Sequence, residues 1–219
     1  MSSLRYRYHT HEFASHDIHL RTLRDNQEYS DLDHEAENLN INSASWPLFG
    51  IVWPSGEILA HLLMDLDIAD KRILEIGCGI GLPSMLLNHR HADITATDYH
   101  PEAESFLNFN TDLNNEKLIP FFLSDWKNVD CLMGKFDLII GSDILYEQNH
   151  VELLSDFIQR HANANCEVIV VDPGRRQHAR FSKKMITLGF AHRQSKPLEV
   201  EYLEKPFKGQ VLCYSRESN

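Results

Sequence analysis

From Arg72 onward, short apolar runs alternate with amphipathic stretches. Arg72 to Ile76, Asp93 to Thr97, Leu118 to Leu123, Phe136 to Ile140 and Glu167 to Val171 have the length and side-chain types of strands. Helical segments fall between them at about 79–88, 101–114, 151–161 and 177–188. Pro101 suits a first helical turn, where its missing N–H would have had no partner. Ahead of the first strand, residues 56–66 read as an amphipathic helix with Ile58, Leu59, Leu62, Leu63 and Leu66 on one face. Ala191 to Ser195 and Gln210 to Ser215 complete the set as two strands with no helix between them. Strands alternating with helices predict an α/β fold: a doubly wound, mostly parallel seven-stranded sheet with helices on both faces. The closing strand pair predicts an antiparallel edge. Residues 1–45 are polar and rich in His. Tyr6 and Tyr8 alternate with arginines and Ile18-His19-Leu20 continues the strand-like pattern, so an N-terminal extension, either lid or small hairpin, is expected ahead of one domain over 46–219.

Composition narrows the class. A chain of 219 residues, 42% hydrophobic, is long enough for one domain with a full core. Its net charge of -11 makes it a poor non-specific ligand for DNA or RNA, because phosphate affinity comes largely from Lys and Arg. No nucleic-acid partner is expected. The four cysteines are scattered, with neither a CxxC pair nor a compact disulfide framework, which suits a reducing, cytoplasmic setting. No apolar run reaches the ~18 residues of a membrane span, and the N-terminus lacks the apolar core of a signal peptide.

The strongest local signal is Ile73-Leu74-Glu75-Ile76-Gly77-Cys78-Gly79-Ile80-Gly81-Leu82, which follows a strand and opens a helix. Glycines let a backbone approach a ligand closely, and such a turn lies at the carboxyl end of a strand, where open α/β sheets bind ligands. A dinucleotide site uses GxGxxG, with the helix N-terminus aimed at a pyrophosphate. Here the spacing is GxGxG and Glu75 precedes it. A carboxylate there would repel a pyrophosphate but attract the ammonium of a methionine moiety. Asp98 ends the second strand, about 20 residues on, where an acid can accept hydrogen bonds from both ribose hydroxyls. Glu75, Gly77, Gly79, Gly81 and Asp98 together fit S-adenosyl-L-methionine as cofactor; a tight turn without a ligand is the alternative. Ser124-Asp125-Trp126 follows the third strand, with Asp125 a candidate for the adenine amino group and Trp126 for its ring, against an ordinary loop acid and a half-buried indole.

The fourth strand ends in Gly141-Ser142-Asp143-Ile144-Leu145-Tyr146, beside the expected position of a reactive methyl. A lysine amine must arrive there deprotonated. Asp143 is a candidate to orient it by hydrogen bonding, and Tyr146 to position it with a π-face or hydroxyl; helix capping and packing are the plainer alternatives. The prolines of the Asn/Asp-Pro-Pro-Tyr pattern used for base and glutamine amides are absent, which lowers those acceptors.

These stretches resemble the class I, seven-strand protein lysine methyltransferases over about residues 47 to 190. The resemblance rests on Phe49-Gly50-Ile51-Val52-Trp53-Pro54-Ser55-Gly56, the glycine loop, Asp98 and the Asp-x-x-Tyr of Asp143 to Tyr146. Trp53-Pro54-Ser55-Gly56 and Val171-Asp172-Pro173-Gly174-Arg175 look most like the branch acting on the electron transfer flavoprotein β-subunit. That resemblance implies a Rossmann-like methyltransferase fold, S-adenosylmethionine, and a protein substrate presenting a lysine. It places Trp53 and Ser142 with Glu75, the glycines, Asp98, Asp125 and Trp126 on the cofactor, and Asp143 and Tyr146 on the acceptor. Related members modify other proteins, and some modify histidine. A small-molecule methyltransferase and a non-catalytic cofactor-binding protein are the competing readings.

Other residues have plainer explanations. His9, His11, His16 and His19 are read as solvated surface histidines rather than metal ligands, and no metal is expected. Cys78 is read as a small buried side chain rather than a nucleophile. Arg175 and Arg176 follow the fifth strand and are candidates to hold an acidic part of a substrate, with a simple surface cap as the alternative.

Overall fold

The computed structural model describes residues 5–14, 16–25, 29, 31, 34–39, 41–129 and 132–217. Strands β1 (Tyr6–Phe13) and β2 (His16–Leu23) form an antiparallel hairpin, followed by a short helix α1 (Glu35–Asn38) and a 3-10 segment (Ser43–Gly50). Helix α2 (Pro54–Leu63) leads into the alternating part: β3 (Arg72–Ile76), α3 (Leu82–His89), β4 (Asp93–Asp98), α4 (Glu102–Leu113), β5 (Phe121–Leu123) and β6 (Phe136–Ser142). Then come α5 (His150–His161), β7 (Ala162–Asp172), α6 (His178–Thr187), β8 (Ala191–Ser195) and β9 (Gln210–Arg216).

The main sheet has seven strands in the order β5-β4-β3-β6-β7-β9-β8. β5, β4, β3, β6 and β7 pair in parallel, and β9 is antiparallel to both β7 and β8. The mostly parallel sheet expected from the alternation is present. The antiparallel edge is present as well: β8 holds the edge, and the reversed strand β9 lies one place inside it. The α6 crossover leaves a one-strand gap between β7 and β8, and the returning chain fills it with ladder bonds on both sides.

Strand order reverses between β3 and β6, and that switch point places a crevice outside their carboxyl ends. The core divides across the sheet by the two-residue period of β3. Ile73 packs on one side with Leu59, Leu86 and Leu107, while Leu74 and Ile76 pack on the other with Leu154, Phe157 and Phe181. Each such side chain stabilises the fold by roughly 1.5–3 kcal/mol.

Element boundaries move where local chemistry overrides periodicity. Helix α2 starts at Pro54, with proline in its first turn, and ends at Leu63. Helix α3 starts at Leu82 rather than near 79, because Gly77, Gly79 and Gly81 have φ of 62°, 53° and 76°, outside the right-handed helical region. β5 shrinks to Phe121–Leu123 behind Pro120, which has no N–H for a ladder, and Leu118 is exposed. β7 begins at Ala162, where Asn163 and Asn165 hide the strand pattern.

The hairpin is docked. Phe13, Ile18, Leu20 and Leu23 are fully buried in the core shared with α2, α3 and α4. Asn110 of α4 and Asn114, the residue that caps its C-terminus, act as a strand edge toward β2. Asn110 accepts from Arg21 N–H at 2.7 Å and donates to Arg21 C=O at 3.2 Å; Asn114 does the same for His19 at 2.9 and 2.7 Å. The expectation of solvated histidines is corrected for three of the four: His9, His11 and His16 are half-buried, and His19 is exposed. His11 is half-buried against Glu57 of α2 at 3.4 Å, and His16 packs on His89 of α3 at 4.5 Å between ring centres. Among the described residues, no helix is long and apolar enough to cross a membrane, and no group of three or more His, Cys, Asp or Glu is placed to hold a metal.

Candidate active site

The glycine loop closes on itself and on β4. Gly81 N–H donates to Cys78 C=O at 2.7 Å, and Cys78 N–H to Thr97 C=O at 2.9 Å. A Cβ on Gly79 would stand 3.0 Å from Phe49 C=O, and one on Gly77 2.8 Å from the Ile144 side chain. The glycines therefore admit the 3-10 segment and the Ile144 turn as well as the left-handed backbone. Cys78 is buried, and burial raises its thiol well above the ordinary value, in line with an inert small side chain.

Glu75 is fully buried beneath the loop. Its Oε2 accepts the Ser84 N–H at 3.0 Å and the Ser84 hydroxyl, satisfying a first-turn donor of α3. Its Oε1 is buried with no partner. Burial pushes the carboxyl up to about 8, against the pull of Ser84 and with a further push from Asp98. Asp98 sits at the end of β4, where its Oδ2 accepts Gly79 N–H at 2.7 Å and its Oδ1 accepts His100 N–H at 2.8 Å. Burial raises its pKa while these amides lower it.

One strand farther out, Ser124 N–H bonds Asp98 C=O at 2.8 Å, and Asp125 accepts Lys127 N–H at 3.0 Å. Asp125 acts electrostatically on Tyr99, whose hydroxyl donates to Leu39 C=O. Trp126 lies edge-on to His150 with ring centres 5.0 Å apart and packs against the core around Leu74 and Ile76. Trp53 precedes α2, and its indole N–H donates to Leu48 C=O at 2.9 Å. In the first turn of α2, a Cβ on Gly56 would lie 3.4 Å from Ser142 Oγ, so this helix end abuts the end of β6.

Asp143 has φ 55°, and its N–H donates to Val171 C=O at 2.9 Å. Its Oδ1 accepts Arg175 Nε at 2.6 Å. It caps no helix: α5 begins at His150 and has no side-chain cap. Tyr146 is 47% exposed, edge-on to His150 at 4.5 Å. Desolvation, then Asp98, Glu147 and Asp143, push its hydroxyl up to about 12.

The structure thus gathers Glu75 of β3 and Asp98 of β4 around the loop of Gly77, Gly79 and Gly81, and sets Ser142, Asp143 and Tyr146 at the neighbouring strand end. Asp125 lies one strand away, Trp126 turns to the α5 side, and Trp53 anchors the entry to α2. Buried polar atoms are nearly always paired in folded proteins. Glu75 Oε1, Ser55 Oγ and Ser124 Oγ all lack partners, and all lie at this end of the sheet. That is the chemistry a polar, cationic nucleoside ligand would complete. A surface recess lined by Asp67, Lys71, Arg72, Arg90 and Asp93 lies at the opposite end of the strands and has no part in this geometry.

A family model described as lysine methyltransferase matches residues 34–187. The chain belongs to this lysine methyltransferase family. It is 30% identical over 135 residues to the electron transfer flavoprotein β-subunit lysine methyltransferase of Xenopus laevis, covering 60% of this chain and 54% of the relative. It is 35% identical over 118 residues to the histidine protein methyltransferase 1 homolog of Dictyostelium discoideum, covering 50% and 37%. The chain therefore spans about half the length of these curated relatives, or less. Among solved structures, the 16S rRNA N2 G1207 methyltransferase of T. thermophilus aligns with TM-score 0.68 at 13% identity, over 98% of this chain and 51% of that one. The magnesium protoporphyrin IX methyltransferase of Synechocystis aligns at 0.57 and 19%, over 73% and 76%. At such identities these two establish a shared fold.

Within this family fold, sequence reasoning missed His100 and His150. His100 is buried, stacked on Phe49 at 4.0 Å, accepts Glu102 N–H at 3.2 Å, and is pushed down to about 4 by burial. His150 is buried between Trp126 and Tyr146, and its Nδ1 donates to Ile144 C=O at 2.9 Å. No motif marks either; their packing partners come from distant segments.

Proposed function

We propose that the protein is an S-adenosylmethionine-dependent protein N-methyltransferase acting on a lysine side chain, with residues 1–45 as an N-terminal extension and 46–219 as the catalytic domain. The observation that carries this reading is the placement of Asp143 and Tyr146 at the end of β6, across the switch point from the glycine loop. Bound S-adenosylmethionine supplies an electrophilic methyl on a sulfonium. Asp98 takes the ribose hydroxyls, and Glu75 Oε1, directly or through water, takes the ammonium. The Gly77–Gly81 backbone would hold the methionine, Asp125 would take the adenine amino group, and Trp53, Trp126 and Ser142 would complete the cofactor site. Asp143 accepts an N–H of the acceptor amine and turns its lone pair toward the methyl, while the Tyr146 ring and hydroxyl limit its approach. The named activities of the lysine-modifying relatives support a protein lysine as acceptor, and the scattered cysteines support a cytoplasmic setting.

The test is incubation of the purified protein with tritiated S-adenosylmethionine and a cell extract, followed by gel separation, amino-acid analysis of any labelled band and chromatography of the low-mass fraction. Label recovered as methyl-lysine is the expected result. Label recovered as methyl-histidine moves the acceptor to histidine, in keeping with the Dictyostelium relative. Label only in low-mass products, or none, contradicts the reading.

A further inference from the structure

The loop after β7 reaches back across the sheet edge to the acceptor side of the site. Asp172, at the end of β7, is buried, and its Oδ1 accepts the N–H groups of both Gly174 and Arg175 at 2.8 Å. Gly174 has φ 101°, so the turn reverses tightly. Arg175 is thereby fixed at its backbone while its guanidinium runs to Asp143 Oδ1 and stands 5.9 Å from the centre of the Tyr146 ring. The Asp143 side chain is only 11% exposed and Arg175 41%, so the carboxylate is largely covered while the guanidinium still meets solvent. No described group donates to the second Asp143 oxygen.

The charges around this point are mostly acidic. Asp98, Asp143 and Glu147 act on Tyr146 from β4, the end of β6 and the following loop. Asp172 faces Asp143 from β7, with His178 of α6 beside Asp172 and His150 of α5 against Tyr146. Arg175 is the one cation among the charged groups acting on Tyr146 in the described residues. Left alone, the acids would hold an arriving lysine as ammonium, which has no lone pair to give.

We propose that Arg175 is an electrostatic positioning residue: it stays on Asp143 Oδ1, leaves the second oxygen for the acceptor N–H, and favours the neutral amine over the ammonium. The inference rests on the lysine reading above. The ammonium loses one proton to water. The amine lone pair forms the new N–C bond as the C–S bond breaks, with that bond's electron pair remaining on sulfur. The methylated ammonium then releases its own proton to water. A guanidinium also blocks the place where a second cation would settle between Asp143 and Tyr146, which selects against a charged acceptor.

The sign is definite. A neighbouring cation lowers the pKa of an amine, so removing it raises that pKa and moves the acid limb of the rate profile to higher pH. At a separation of several ångströms in a half-exposed site, the shift is about one pH unit. The experiment compares wild type, Arg175→Gln and Arg175→Lys across pH 6.5 to 9.5. It uses tritiated S-adenosylmethionine and the extract protein that wild type labels, with melting temperatures measured alongside. For Arg175→Gln the expected result is a limb moved up by about one unit, roughly tenfold slower turnover below it, and recovery at high pH. Arg175→Lys should keep the wild-type limb. A folded Arg175→Gln that is slower by the same factor at every pH, or unchanged throughout, overturns the inference and leaves the lysine reading standing. Wild type that labels no protein at any pH overturns both.

Discussion

Among single residues, Glu75 depends most on what lies beside it. Burial holds its carboxyl at about 8, one oxygen is tied to Ser84, and the other has no partner. At pH 7 the ligand-free site therefore holds mostly the protonated acid. An ammonium placed at Oε1 favours the carboxylate, so binding a cationic methionine group releases a proton, and affinity rises with pH toward 8. S-adenosylmethionine affinity, measured by calorimetry, should rise about 25-fold between pH 6 and 7.5, close to the limit of one proton per ligand, about 30-fold. Glu75→Gln should bind more weakly and without that slope. Parallel profiles for the two proteins would remove Glu75 from the ammonium site. The sequence marked Glu75 and Asp98 by their positions around the glycine run. It did not reveal that both side chains hold the loop itself, through Ser84, Gly79 and His100, because those bonds depend on how α3 and β4 meet.

At the scale of elements, periodicity located the alternating strands and helices from β3 to α6, since each buries a face with its own period. It failed where polar residues carry structure. β7 carries Asn163 and Asn165 just after its start at Ala162, and the hairpin is fastened by Asn110 of α4 and by Asn114, four residues on at its C-terminal cap. Those two asparagines make a graded prediction. Asn110 is fully buried and bonds both backbone groups of Arg21, so Asn110→Ala leaves buried partners unpaired and should cost about 1–3 kcal/mol in chemical denaturation. The Asn114 bonds to His19 are exposed, water can replace them, and Asn114→Ala should cost about 1 kcal/mol or less. The reverse order would mean that α4 does not carry the hairpin through these bonds.

Across the whole molecule, buried and half-buried histidines make the fold sensitive to acid. His9, His61, His100, His150, His161 and His192 are all shifted down by burial, His100 to about 4. A base with a depressed folded-state pKa is fully stabilising above its unfolded value near 6.5, and that contribution is lost as pH falls toward its folded value. For His100, which is 4% exposed, the span from 6.5 to about 4 corresponds to about 3 kcal/mol. Denaturation of wild type should therefore lose about 3 kcal/mol more than His100→Phe between pH 7 and 4. Equal losses would show that His100 is protonated without strain. Nothing in the sequence sets His100 apart from the other twelve histidines; its burial is assembled from Tyr29, Phe49 and the turn after β4.

The central claim is that Asp143 serves the acceptor and not the cofactor, and the substitution Asp143→Asn tests it most directly. Asparagine tolerates the left-handed backbone found there and keeps the shape of the side chain while removing its charge. With cofactor affinity and turnover measured on the same preparation, affinity should stay within about threefold, a difference of roughly 0.6 kcal/mol. Turnover should fall by about two orders of magnitude or more, the scale expected for loss of a positioned polar group at the reacting centre. Near-normal turnover, or a loss of cofactor affinity as large as the loss of rate, would contradict the account.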